Sequence, residues 1–390
     1  MTDSLPPADR AGLLATAAQE PPDELGAGAG AELAHFYETV PAEFREAVEA
    51  TLGRFVDEQG ELLAPLGPDV QPLVSASRRA MHGGKGLRPA FTYWGWRAAG
   101  GAPDPYPIAT VAAAIELVHG AALVHDDVMD GSDTRRGRPS AHREFARLAD
   151  VSASPAAAGR FGPGAAILLG DLLLTWSDQL LRSADLRAAD LARAHGYFDR
   201  LRTEVMAGQY LDMLAQSSGR VTAAEAMRVV RYKAAKYTVE RPLQIGAACA
   251  DASPALLAAL SSYGVPLGEA FQLRDDVLGV FGEPAETGKP AGDDIRGGKP
   301  TLLVARALDG ASAGQRQALA RLLGDPAIDP AGVAAVRRVI RETGALAAVE
   351  TVIAELTSAA LSAVSATRFA DRETRHALRR LADQATRRRR

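Results

Sequence analysis

The residues best equipped for chemistry lie in two aspartate-rich segments. The first reads HDDVMDGSDTRRGRP, from His125 to Pro139, and the second QLRDDVLGVFGEPAETGKPAGDDIRGGKPT, from Gln272 to Thr301. Each joins clustered carboxylates to a basic, glycine-containing stretch. That pairing suits the holding of a diphosphate through divalent metal ions. Carboxylate oxygens are hard ligands, and Mg2+ binds through a few of them together with substrate phosphates. Arg and Lys then neutralise the remaining phosphate charge.

In the first segment Asp126 and Asp130 are one helical turn apart on one face, and Asp127 is adjacent. Three carboxylates this close repel one another unless a divalent cation intervenes. The preceding run, VAAAIELVHGAALV, is apolar, so its helix should be buried and its terminal charges need partners. One such cluster could equally be a solvated helix end. The second changes the balance. Asp275 and Asp276 also follow an apolar run, YGVPLGEAFQL, with Gln272 on the same face. One turn beyond Asp275 stands Gly279, so this cluster is poorer by one carboxylate. Two such clusters on two apolar helices can face each other across a cavity. GGKGLRP, from Gly83 to Pro89, presents Lys85 and Arg88 from a turn whose backbone N–H groups suit an anion. Arg135 and Arg136 follow the first carboxylates, and Lys289 and Lys299 sit in loops after the second.

The elements that must position these groups read as helices. The 390 residues are 47% hydrophobic but only 5% aromatic, and rich in helix-favouring Ala and Leu. A helix opens at Pro41 and Phe44. Apolar periodicity and Gly/Pro punctuation predict further helices over 71–82, 89–99, 106–131, 139–149, 164–183, 187–216, 222–249, 253–282, 300–308, 312–324, 330–343, 345–366 and 371–386. Residues 150–163 read as a loop, and no strand alternation or internal repeat stands out. Residues 1–38, rich in Pro, Ala and Gly, read as a disordered extension, leaving 39–390 as one all-α domain, a single large helical bundle. The net charge of −4 argues against a nucleic-acid partner. The single cysteine, Cys249, excludes an internal disulfide framework and fits a reducing, cytoplasmic setting. The N-terminus lacks the basic start and apolar run of a signal peptide. The most apolar run, Ala165 to Leu174, carries Asp171 in its middle, so no transmembrane segment is expected.

Taken together, GGKGLRP, ELVHGAALVHDDVMDGSDTRRGRP, GDLLL, GQYLD, FQLRDD and GKPAGDDIRGGKPT occur in an order that resembles the trans-isoprenyl diphosphate synthases, or polyprenyl synthetases. The likeness runs from about residue 45 to the C-terminus. It implies an isoprenoid-synthase-type bundle around a central cavity, Mg2+ as cofactor with three ions per site, and a homodimer. It also implies a trans-prenyltransferase that joins isopentenyl diphosphate to an allylic diphosphate. Asp126, Asp127 (more weakly) and Asp130 would bind metal from one wall and Asp275 from the other, with Asp276 supporting through water. Arg135, Lys233, Gln272, Lys289 and Lys299 would hold the allylic diphosphate, with Lys233, Gln272 and Lys289 aiding its departure. Lys85, Arg88, His119 and Arg136 would hold isopentenyl diphosphate. Three departures from the family pattern matter. Gly279 replaces an aspartate. Lys233 and Lys236 both compete for one lysine position, Lys233 being preferred, with Ala234 where threonine is usual. The chain ends in Arg387 to Arg390, where basic residues of the family often close over substrate.

The implied reaction is an electrophilic alkylation: the allylic diphosphate leaves, the C3–C4 double bond of isopentenyl diphosphate attacks C1, and a proton is lost from C2. The growing chain would run along the first-motif helix toward its N-terminus, so Ala121, Ala122 and Val118, with Leu117, act as its floor. Aromatic residues at the two alanine positions stop growth at fifteen carbons in the family. A helical turn of about 5.4 Å is roughly one isoprene unit, so small residues leave room for a twenty-carbon product, geranylgeranyl diphosphate. Farnesyl or longer products are the alternatives. A class I terpene cyclase would need an Asn- or Asp-led second motif with Ser/Thr and Glu, and this chain contains no Asn. A non-catalytic regulatory subunit would be expected to have lost aspartates from one motif.

Overall fold

The computed structural model describes residues 36–84, 86–148, 155–219, 221–282, 292–370 and 372–386. Apart from a two-stranded hairpin, the regular structure of the described residues is helical. In chain order the helices are α1 (Ala42–Leu63), α2 (Gln71–Met81), α3 (Leu87–Ala98), α4 (Tyr106–Met129), α5 (Ala141–Leu148), α6 (Pro155–Arg182) and α7 (Ala188–Ser218). After α8 (Ala223–Val229) comes a π-helix (Val230–Glu240). It is followed by α9 (Arg241–Cys249), α10 (Pro254–Phe281), α11 (Asp293–Arg296), α12 (Leu302–Gly310), α13 (Ala313–Leu322), α14 (Pro330–Glu342), α15 (Ala345–Ala366) and α16 (Arg372–Thr386).

Local chemistry starts the helices that matter. Thr222 and Glu225 form a reciprocal capping box at α8. Ser253 accepts from the Leu256 amide ahead of Pro254 at the first turn of α10. Burial then fixes them. Ile108, Val111, Ile115 and Leu117 of α4 are fully buried, and α4 packs against α1, α3 and α6. Two apolar clusters result. Leu260, Tyr263 and Leu267 of α10 lie in the first, with α1, α3, α4, α6 and α16; Leu273, Val277 and Val280 lie in the second, with α12, α14 and α15. Helix α10, which carries the second aspartate segment, is thus gripped along its whole length.

The π-helix has an identifiable setting. A Cβ built on Gly208 of α7 would lie 2.4 Å from the backbone nitrogen of Lys233, and one on Gly268 of α10 would lie 2.5 Å from Cα of Ala235. The neighbours on both sides are therefore bare where the wider turn passes. Its i→i+5 bonding also places residues five apart next to each other. Lys233 and Thr238 therefore share a face.

Several expectations need revision. Phe36 and Thr39 are buried, and the turn Tyr37–Thr39 packs on α1, α3 and α16. The fold therefore begins a few residues before 39, while residues 1–35 lie outside the described residues. Residues 155–163 are helix rather than loop, because Gly162 lets α6 press onto α5, its Cβ position lying 2.3 Å from the His142 carbonyl oxygen. A short hairpin pairs Thr134–Arg135 with Arg138–Pro139. Its two turn residues, Arg136 (φ 53) and Gly137 (φ 75), both sit in the left-handed region that such tight turns require. Among the described residues two helices, neither of them the run Ala165–Leu174, are long and apolar enough by length and composition alone to cross a membrane. They are α4, with 72% of the relevant window buried, and α15, with 22%. Helix α4 is a core helix ending in aspartates, and α15 packs on α10 and α16.

Replacing Gly208 or Gly268 by Ala forces backbone apart and should cost about 2 kcal/mol or more in urea denaturation. Gly196 in α7 has nothing within 4 Å of its Cβ position, and Gly196→Ala should instead stabilise by roughly 0.5–1 kcal/mol. Equal effects at the three positions would contradict the close-approach account.

Candidate functional site

The C-terminal end of α4 divides its carboxylates. Asp126 and Asp130 look outward from one face, Asp126 part-exposed and Asp130 exposed. Asp127, expected beside them as a weaker metal ligand, is turned into the protein and is only 3% exposed. There it accepts from Arg135 Nε at 3.0 and 3.2 Å. Arg135 comes from the hairpin and also lies 3.6 Å from Asp126. Its guanidinium is thus committed to locking the hairpin onto α4, with one edge beside Asp126.

Across from this face stands the π-helix. Lys233 Nζ lies 3.2 Å from Asp126 Oδ1 and 2.6 Å from Asp212 Oδ2 of α7. Lys236 instead pairs with Glu240 at 2.9 Å and Glu204 at 3.4 Å. Of the two lysines, Lys233 therefore faces the first carboxylates. Asp212, the last residue of GQYLD, had no assigned role; its signal was the motif itself. From α10, Asp275 is part-exposed while Asp276 is buried and accepts from Gln272 Nε2 at 2.8 Å. Lys299 Nζ lies 3.3 Å from Asp294.

The electrostatics favour cations between these walls. Burial pushes Asp126 up, but Lys233, Lys299 and Arg135 outweigh it and hold its carboxyl below the usual range. Asp130 lies above that range, because the surrounding protein displaces water from its carboxyl and Asp126 adds like charge. Burial, then Asp294, pushes Asp276 up to about 7. Lys299 is desolvated, yet Asp294, Asp130 and Asp126 raise it well above an ordinary lysine. The same residues fit divalent cations. Hard oxygens line both walls, and the ammoniums of Lys233 and Lys299 are the positive charge that now accompanies them. Among the described residues no three such side chains close around one point.

A second basic group lies further along α4. Arg88 donates to Thr238 Oγ1 at 3.0 Å and stacks 4.2 Å from the Tyr237 ring centroid, while its buried Nε has no partner within the described residues. His119 Nδ1 is 3.0 Å from the Tyr237 hydroxyl. Arg136 reaches the His82 carbonyl oxygen. Burial, then Arg88, Arg136 and Arg135, push His119 well below 6.5, so its ring is neutral at pH 7. Burial pushes Tyr237 up to about 12, so its hydroxyl keeps its proton. Beneath them is Glu116, 8% exposed; burial raises its carboxyl, while Arg88 and Arg136 oppose the rise. Sequence reasoning passed over it as one polar residue in an apolar run. Lys85, Lys289 and residues 387–390 lie outside the described residues.

The family model for polyprenyl synthetase matches residues 70–342. A short chain isoprenyl diphosphate synthase of Methanothermobacter thermautotrophicus is 36% identical over 243 residues, 62% of this chain and 68% of that protein. A geranylgeranyl diphosphate synthase of Mycobacterium tuberculosis is 34% identical over 289 residues, 72% and 77% of the two chains. The crystal structure of a geranylgeranyl pyrophosphate synthase from Corynebacterium glutamicum, complexed with isoprenyl diphosphate and magnesium, superposes with a TM-score of 0.84 at 39% identity. The match covers 89% of this chain and 99% of that one.

Two outcomes follow. Asp127→Ala strands Arg135 and should cost about 2–3 kcal/mol of stability, whereas Asp130→Ala should leave stability within about 0.5 kcal/mol; equal losses in denaturant titrations would contradict the division of roles. The unfolded chain takes up a proton at His119 near 6.5 and the folded one resists it. Stability from this group is therefore complete above pH 6.5 and falls as pH drops below it. His119→Asn should flatten part of that slope, and an unchanged slope would contradict it.

Proposed function

The chain belongs to the polyprenyl synthetase family and is a trans-prenyltransferase that makes a trans-polyprenyl diphosphate, and on that premise we propose that it joins isopentenyl diphosphate to an allylic diphosphate, yielding geranylgeranyl diphosphate. The observation that carries the reading is the presence of two separate cationic groups. Lys233 and Lys299 accompany the aspartates of both walls. Arg88 and Arg136, with neutral His119, form the other group beyond them. Two diphosphate substrates need two such places; a cyclase acting on one diphosphate does not.

Mg2+, when bound by Asp126, Asp130 and Asp275, supplies Lewis-acid neutralisation of the leaving diphosphate. Lys233, Lys299 and Gln272, with Lys289, hold that diphosphate and stabilise the charge that develops as it leaves. Arg135 holds Asp127 and presents its remaining edge to the same anion. Arg88 and Arg136, with Lys85, fix isopentenyl diphosphate, and Arg88 Nε offers the donor that lacks a partner. His119 donates or accepts without adding charge. The C3–C4 π electrons of isopentenyl diphosphate then form a bond to allylic C1, and the C2 proton passes to the departing diphosphate.

The product length is set along α4. Ala122 is part-exposed and stands on the Asp126 face, whereas Ala121 and Val118 are buried. Ala122 is therefore the residue of the floor that meets the growing chain directly. Ala122→Phe should turn a mainly twenty-carbon alcohol, recovered after dephosphorylation and identified by mass, into a mainly fifteen-carbon one. An unchanged product would overturn the floor, and no condensation by the parent enzyme with Mg2+ and any allylic primer would overturn the proposed reaction.

The reading extends to a homodimer in the cytoplasm. Met206, Tyr210, Met213 and Leu214 form an exposed apolar stripe on α7, and Phe161, Ile167 and Leu168 are exposed on α6.

A further inference from the structure

Helices α15 and α16 enclose a groove of about 740 Å3 that the site described above does not use. Ile353, Ala354, Ser358, Leu361 and Ser362 of α15 form one side, and Arg379 of α16 stands on the other. The groove also takes in Arg274 and Glu350, whose charges are spent on each other at 2.6 Å. The apolar window of α15 is only 22% buried. Ala354, Ser358 and Ser362 are exposed along it and small enough to let another helix come close. Helix α16 exposes Arg372, Arg375, Arg379 and Arg380, with Glu373 as its exposed carboxylate. Glu355, exposed on α15, does not line the groove. An apolar occupant with negative charge at its edge would therefore complement this surface.

The chain carries such a segment beside the groove. Tyr37–Thr39 pack on α16, so residues 1–35 join the described structure next to that helix. They contain Asp3, Asp9, Glu20, Asp23, Glu24 and Glu32 against Arg10. Among them Leu13, Leu14, Ala17 and Ala18 recur at helical spacing, behind Asp9 as an N-cap and ahead of Pro21 and Pro22 as a stop. We propose that Arg10–Glu20 docks as a short amphipathic helix in the α15–α16 groove of its own chain. Leu13, Leu14, Ala17 and Ala18 then face Ile353 and Leu361, while Glu20, Asp23 and Glu24 face Arg379 and Arg380. The reach is ample. Residues 21–35, when extended, span up to about 50 Å, whereas α15 from Glu350 to Ala366 rises only about 24 Å. The arginine run 387–390 follows Thr386, which also lines the groove, but its charge repeats that of Arg379 instead of complementing it.

Hydrogen exchange of the full-length protein tests this, measured at high and at low protein concentration. Amides of residues 13–18 should exchange roughly tenfold or more slowly than those of an unstructured chain. Leu13→Asp/Leu14→Asp should remove that protection, and so should Arg379→Glu/Arg380→Glu. Adding Glu20→Arg/Asp23→Arg/Glu24→Arg to the second variant should restore it. All the substituted side chains of α16 are exposed, and melting temperature confirms that each variant is folded. Protection that is absent in the parent, unchanged in either variant, or not restored by the charge exchange would overturn the inference. Protection lost on dilution would assign the groove to the segment of a second copy and overturn docking within one chain.

Discussion

Everything in this molecule depends on keeping two groups of carboxylates close together while the charge between them is balanced. Asp126 and Asp130 end one buried helix, Asp275 and Asp276 lie near the end of another, and Asp212 and Asp294 stand at the sides. Such a gathering is unfavourable unless cations sit within it. Lys233 and Lys299 provide part of the compensation, while burial, and after it the neighbouring carboxylates, raises the carboxyls of Asp130 and Asp276. The unmet demand for positive charge is what a metal-bound diphosphate would satisfy. The long apolar faces of α4 and α10 oppose the repulsion, because neither helix can yield without exposing core.

Around that constraint the remaining structure is a set of braces. Arg135 ties the hairpin to Asp127 and so fixes the end of α4. The bare backbones at Gly208 and Gly268 admit a π-helix, and its register puts Lys233 and Thr238 on one face. Lys233 then serves the aspartates, while Thr238 and its neighbour Tyr237 hold Arg88 and His119. One distorted helix therefore connects the two basic groups. Arg274, beside Asp275, donates to Glu350 at 2.6 and 2.7 Å and to the Thr386 carbonyl at 3.1 Å, binding α10 to α15 and to the end of α16.

Much of this was legible in the residues. The apolar runs before Asp126 and Asp275 marked both helices, and glycine and proline marked most of their ends. Motif order gave the reaction class, because several weak signals in one sequence are jointly specific. What stayed hidden depended on contacts between distant segments. Nothing local distinguishes Asp127 from Asp126; their division appears only when Arg135 folds back from the hairpin. The π-helix comes from bare glycines on two other helices, and a 3.6-residue pattern cannot register it. Gly162-Pro163-Gly164 reads as punctuation until α5 packs over it. Gly279 reads as a gap in the second segment until Asp294 is seen packed against it. In each case tertiary packing overrode a correct local rule.

Two such walls should bind a diphosphate and divalent cations together rather than either alone. The most direct measure of this is the melting temperature of the protein with Mg2+ alone, with inorganic diphosphate alone, and with both. The rise with both present should exceed the sum of the separate effects, since each ligand completes the charge balance of the other. Additive shifts, or a full rise with diphosphate in the presence of a chelator, would contradict it.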